Sequence, residues 1–315
     1  MFVPAMTPGR TIEGISAVLL PYLTDDTPDW ASFRGLLERT WAAGLSPAVN
    51  MDTGYVNLLD LDTRARVLAE TRDLAAGRRF IAGAFIEGQS GVPTALYGRA
   101  IDQIRAHGGT PILFQTSALG QSTEDEVLQV YRDVGAAGGP LFAFELGQMF
   151  APFGRIYSPT FFCRLLEIEA FTGAKHSSLD RACEFERLDL RNRHRPGFKV
   201  YTGNDLAIDM VFYGSDYLLG LSAFHVEAFA LRDRLWAAGD VSSLTLNDML
   251  QYLGMLAFRA PVPAYKHSAA QFLHLRGLVA TDRPHPRNPR RPESDLPVLA
   301  DIRARLDRLI TASRS

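Results

Sequence analysis

The sequence predicts an eight-stranded β/α barrel with a helical C-terminal extension, and three observations carry that prediction. Eight short apolar runs fall at residues 14–20, 47–51, 80–86, 111–114, 140–146, 171–175, 198–202 and 217–222. Between them lie segments with apolar residues at three- and four-residue spacing, as helices require. Strand and helix alternate over about 230 residues, the repeat and the length of a (β/α)₈ unit. A doubly wound open sheet is the competing architecture. No G-x-G-x-x-G or phosphate-binding loop follows the first run, so its usual cofactor signature is missing.

The expected helices take the chain in order: 30–43, 63–76, 91–107, 123–135, 159–170, 178–191 and 205–213. Asp29, Asp62 and Ser158 stand where N-caps are needed, with Pro159 at a first helical position. The barrel is expected over residues 1–224. Residues 225–315 read as a helical region packed on it, with helices at 226–238, 244–257, 268–278 and 296–310. The stretch RPHPRNPRRPESD before the last helix reads as an exposed loop or linker, since no aromatics interleave its charges.

Composition narrows the function. The 315 residues are 47% hydrophobic and 22% charged with a formal net charge of −2, ordinary for a soluble globular protein. That balance gives no electrostatic case for nucleic acid, and no apolar run approaches the ~20 residues of a membrane span. Cys163 and Cys183 show neither metal-ligand spacing nor a disulfide framework, and read as reduced thiols of a cytoplasmic protein. No metal site and no cofactor are expected.

One residue type is scarce. The chain holds 30 arginines but only three lysines, Lys175, Lys199 and Lys266. Lys175 lies where the sixth strand, FTGAKHSS, enters its loop. An ammonium can lose its proton when desolvated and attack a carbonyl, whereas a guanidinium cannot. Lys175 is therefore a candidate Schiff-base nucleophile; a strand-end lysine reaching to water is the structural alternative.

Motifs at the strand ends extend this reading. GAKHSS is similar to the G-x-K-D-[ST]-[ST] motif of the dihydrodipicolinate synthase and N-acetylneuraminate lyase family of pyruvate-dependent class I aldolases. AVLLPYL with Asp29, Asp52-Thr53-Gly54, IAGAF, YTGND, GSDYLLGLSAF and PVPAYKHSAAQFLHLRGL resemble that family's other motifs in the right order. The resemblance covers nearly the whole chain. It implies a lyase that forms an imine between Lys175 and pyruvate or a related 2-oxo acid, with an aldehyde as second substrate, in a homotetramer or dimer. Thr53 and Gly54 then fall in the carboxylate-binding turn, Gly203 in the seventh-strand motif, and Lys266 on a C-terminal helix in a structural role.

The chain departs from the family in its proton-handling groups. Phe144 occupies the position of the catalytic tyrosine, Leu20 and Asp52 replace two threonines, and Gln115-Thr116-Ser117-Ala118 aligns with the partner tyrosine's segment. A true dihydrodipicolinate synthase is not expected. Glu145, His176, Tyr55 and Asp52 are candidates to move the proton, with Tyr55 and Asp52 foremost because they flank Thr53. Phe144 and Glu145 are also placed beside the substrate, and Arg155 is a candidate for a second carboxylate. Loss of the tyrosine equally motivates an attenuated protein that binds 2-oxo acids without turnover.

Overall fold

In the computed structural model, which describes residues 3–312, the first strand pairs with both the second and the eighth. That double pairing closes an all-parallel barrel in the order β1 to β8. The strands are β1 (Gly14–Ala17), β2 (Ser46–Val49), β3 (Ile81–Ala84), β4 (Thr110–Leu113), β5 (Leu141–Leu146), β6 (Phe171–Ser177), β7 (Lys199–Thr202) and β8 (Asp216–Leu219). All eight coincide with apolar runs of the sequence. Short strands with little polar alternation are what a sheet buried on both faces demands.

The register sets the site. Phe144 on β5 lies opposite Lys175 on β6, which lies opposite Tyr201 on β7. Ile15, Ala48, Ile81, Ile112, Phe142 and Leu218 fill the barrel interior below them. Tyr201 closes the lower end by donating to Glu13 Oε1 at 2.8 Å.

Helices α1 (Trp30–Ala42), α2 (Leu61–Ala75), α3 (Pro93–Ala106), α4 (Glu124–Gly135), α5 (Pro159–Leu166) and α6 (Arg181–His194) follow the first six strands. Asp29 and Ser158 cap α1 and α5 as expected. The cap of α2 is Asp60 instead of Asp62, because its carboxylate accepts from the Thr63 amide and the helix starts two residues earlier. Each such cap contributes about 1 kcal/mol. The helix expected at 205–213 is a 3₁₀ turn, Ile208–Tyr213, ended by Gly214 at φ +111°.

Beyond β8 come α7 (Val226–Ala237), α8 (Ser242–Ala257), α9 (Tyr265–Leu275) and α10 (Asp295–Ala312). α7 packs on β1 and α1, and α10 lies across α7, α8 and α9. The Pro/Arg-rich stretch is an irregular and largely exposed loop, as expected, but it is pinned to the helices. Arg291 is buried and donates to the carbonyls of Ala257, Arg259, Ala260 and Pro261, which the end of α8 leaves without helical partners. Arg259 grips Asp295 through two contacts of 2.7 and 2.6 Å, fixing the start of α10. Among the described residues no helix is long and apolar enough to cross a membrane.

Candidate active site

Lys175 points into the upper barrel and is 8% exposed. Its Nζ lies 4.6 Å from the centre of the Phe144 ring. Among the described residues it makes no hydrogen bond or ion pair with a protein group. Burial draws its pKa below the usual lysine value, against the opposing pull of the Asp205 and Asp52 carboxylates. The side chain has room because position 203 is glycine. A Cβ there would stand 2.0 Å from Ser177 Oγ and 2.6 Å from Lys175 Cε.

Four groups converge beside the lysine from opposite ends of the chain. β2 ends in a 3₁₀ turn, Asp52–Gly54, which presents Asp52 and Thr53. α9 begins with Tyr265 and Lys266, both buried. The Tyr265 hydroxyl lies 2.8 Å from Thr53 Oγ1 and donates to Asp52 Oδ2 at 2.9 Å. Lys266 Nζ donates to Asp52 Oδ1 at 3.0 Å. Burial works against ionisation of Asp52, yet Lys266 and these hydrogen bonds together hold its pKa below the usual value. Burial, reinforced by the Asp52 charge, pushes the Tyr265 phenol well up.

Asp205, in the YTGND segment after β7, completes the ring of polar groups. It accepts from the Leu221 amide at 2.7 Å. Burial raises its pKa to about 7, despite Lys175 and the amides at the end of β8. Gly220, also at that end, lies close to Thr53 and Tyr265: a Cβ there would be 3.1 Å from Thr53 Oγ1 and from Tyr265 Cε2. Lys175, Asp205, Thr53 and Tyr265 thus share one mouth.

A cavity of about 310 Å³ opens beside Asp52. Phe85, Phe114, Phe150 and Phe153 line it together with Arg64 and Glu87. Phe114 carries the aromatic surface inward, making edge contacts with Phe85 at 5.3 Å and Phe144 at 5.0 Å.

The expected residues divide. Asp52, Thr53, Phe144, Lys175 and Gly203 gather at the mouth, while Gly54 ends the 3₁₀ turn against the Val18 carbonyl. Tyr55 does not: with φ +61° it turns its ring into the wall, between Tyr22 and His285. Burial raises its phenol pKa, and its ring faces Lys266 at 5.6 Å. Glu145 lies on the opposite face of β5 from Phe144, as strand alternation dictates. It is sealed from solvent, with His176 Nδ1 at 2.7 Å, Arg187 on both carboxylate oxygens and the Tyr157 amide at 3.1 Å. Glu145 and His176 therefore sit outside the cavity, between barrel and helices. Arg155 is also turned away, donating to the carbonyls of Leu119, Gly120 and Ser122 and clamping the loop after β4 to its own.

Tyr265 and Asp205 escaped the sequence reading. Both lie in segments singled out there, Tyr265 immediately before Lys266 and Asp205 two residues after Gly203. A phenol adjoining a buried lysine was the available signal.

No family model matches the sequence, and no curated protein matches it. Solved structures do. A prophage protein of the dihydrodipicolinic acid synthase family from E. coli K12, in complex with pyruvate, superposes with a TM-score of 0.82 at 14% identity, over 94% of this chain and 98% of that one. The fold is that of the dihydrodipicolinate synthase family. The chloride-inhibited synthase from Acinetobacter baumannii, complexed with pyruvate, matches at 21% identity with a TM-score of 0.77, over 95% and 99% of the two chains. The Thermotoga maritima synthase matches at 16% identity and 0.80, over 95% and 99%. Dihydrodipicolinate synthase structures thus reproduce this barrel and its C-terminal helices nearly end to end.

Proposed function

We propose that the chain is a divergent member of this family, a lyase that forms an imine between Lys175 and pyruvate or a related 2-oxo acid. The observation that carries the reading is a buried lysine amine without an ion pair, its pKa depressed, beside the Tyr265–Thr53–Asp52 hydrogen-bond chain. The pyruvate held by two structures of the same fold supports the substrate class.

In this reading the neutral amine attacks C2 of the 2-oxo acid. The carbinolamine then loses its hydroxyl as water, and the protonated imine becomes the electron sink for making or breaking the adjacent carbon–carbon bond. The Thr53 hydroxyl meets the substrate carboxylate. Asp52 would repel that carboxylate were its charge not matched by Lys266. The Tyr265 phenol is the proton carrier in a chain whose strand-five tyrosine position holds Phe144. It delivers a proton to the departing hydroxyl, which leaves as water, and is reprotonated from solvent through Thr53. Asp205 accompanies the cationic imine as its counter-charge. A proton carrier in the mouth favours turnover over the alternative of a 2-oxo-acid-binding protein without activity.

Borohydride trapping tests the proposal. The protein is incubated with pyruvate, reduced, and mapped by peptide mass, with Lys175→Ala as control. An adduct confined to Lys175 is expected. No adduct with pyruvate or with a panel of larger 2-oxo acids would sink the imine mechanism.

A further inference from the structure

We infer that the cavity beside Asp52 is built for an aromatic compound carrying one anionic group, with the ring among the phenylalanines and the anion on Arg64. As the binding place of the second, carbonyl-bearing reactant, it rests on the imine reading above.

The size is right for one ring. An engineered apolar cavity of roughly 150 Å³ takes a benzene molecule, and this one, at about 310 Å³, holds a substituted ring with a short chain. The walls select for it. Phe85 and Phe114 meet edge to face at 5.3 Å, and Phe150 and Phe153 approach from the loop after β5. Rings so arranged favour another aromatic body. A polyhydroxylated chain would leave its hydroxyls facing phenyl groups.

The charges of the lining are unevenly satisfied. Glu87 accepts from the Ser117 amide at 2.7 Å, Ser117 Oγ at 2.6 Å and Thr116 Oγ1 at 2.8 Å. Asp52 is matched by Lys266 and Tyr265. Arg64 has no carboxylate within ion-pair distance among the described residues. Its single acceptor is the Phe85 carbonyl at 3.4 Å, and its Nε is buried without a partner. The guanidinium is held over the Phe85 ring, 4.8 Å from the centroid. Two satisfied carboxylates and one unsatisfied arginine leave the cavity ready for an anion. A guanidinium fork suits a planar carboxylate.

Titration calorimetry with unreactive probes tests the assignment: 4-methylbenzoate, its neutral isostere 4-methylbenzamide, and acetate. The wild-type protein should bind 4-methylbenzoate at least tenfold tighter than either of the others. Arg64→Met should erase the preference of acid over amide while leaving amide affinity within threefold. Phe150→Ser, in a partly exposed loop, should weaken both ring compounds about tenfold. Lys175→Met should change 4-methylbenzoate binding less than threefold, since the anion sits on Arg64. Equal affinity for the three probes, or a preference that disappears with Lys175 and not with Arg64, overturns the inference. Trapping and titration report separately. An adduct on Lys175 with no selectivity among the probes rejects the aromatic site alone, and selective binding without an adduct rejects the imine alone.

Discussion

Lys266 Nζ and Asp52 Oδ1, 3.0 Å apart, join the start of α9 to the turn after β2. The pair neutralises the acid that adjoins Thr53, the residue proposed to meet the substrate carboxylate. Lys266→Met should therefore raise the pyruvate concentration needed for half-maximal trapping about tenfold, or ~1.4 kcal/mol. The double variant with Asp52→Asn should recover most of that loss, since both charges are then gone. A double variant as weak as the single one would mean that Lys266 acts through packing.

Removing the phenol of Tyr265 while keeping its ring separates imine formation from turnover. Tyr265→Phe should still yield a reduced adduct on prolonged incubation. Its steady-state rate with the true substrate should fall by about 10²–10⁴, the usual contribution of a positioned acid–base group. An unchanged rate would assign the proton to another group.

Gly203→Ala places a methyl group against Ser177 Oγ and the Lys175 stem. Both side chains can move, so the fold should survive with a small drop in melting temperature. The displaced amine should trap pyruvate at least tenfold more slowly. Normal trapping kinetics would show that the lysine does not need its observed position.

The Asp205 carboxyl, raised by burial to about 7, keeps its proton in the folded chain over a range where the unfolded chain has lost it. A raised pKa favours folding below about pH 4, and that contribution disappears as pH climbs to about 7. Asp205→Asn removes the loss. Relative to wild type, its unfolding free energy should grow between pH 4 and 7, by on the order of 3–4 kcal/mol. Parallel stability curves across that window would refute the assignment.

Glu145 behaves in the opposite sense. Burial would raise its pKa, but His176 and Arg187 outweigh burial and bring it down to about 2. Its contribution is complete above about pH 4.5 and fades as pH falls toward 2. Glu145→Gln should cost about 3 kcal/mol at pH 7, leave Arg187 buried without its partner, and match wild type near pH 2. Trapping on Lys175 should be unaffected, because Glu145 faces away from the mouth. A trapping defect in a fully folded variant would return Glu145 to the substrate side.

Much of this architecture could be read from residue order because barrel strands and helices are local patterns. All eight apolar runs became strands, and Lys175 stood out because a chain so rich in arginine keeps so few lysines. Glu145, expected beside the substrate with Phe144, fell on the opposite face of β5, as strand alternation requires. What escaped depends on distant partners. The hydroxyl of Tyr265 meets a carboxylate 213 positions earlier, and Arg291 meets carbonyls 30–34 positions earlier. Neither partnership leaves a periodic trace. Tyr55 misled for a related reason: adjacency to Thr53 suggested a shared direction, and a left-handed backbone turned it into the wall.

Because Tyr265 and Lys266 arrive on α9, the order of synthesis has a chemical meaning. A ribosome extrudes all eight strands, and with them Lys175, before it makes the helix that supplies the phenol and the cation for Asp52. A chain interrupted before α9 has Lys175 but neither of them. Under the proposed imine chemistry, competence is thereby coupled to translation of the last segments.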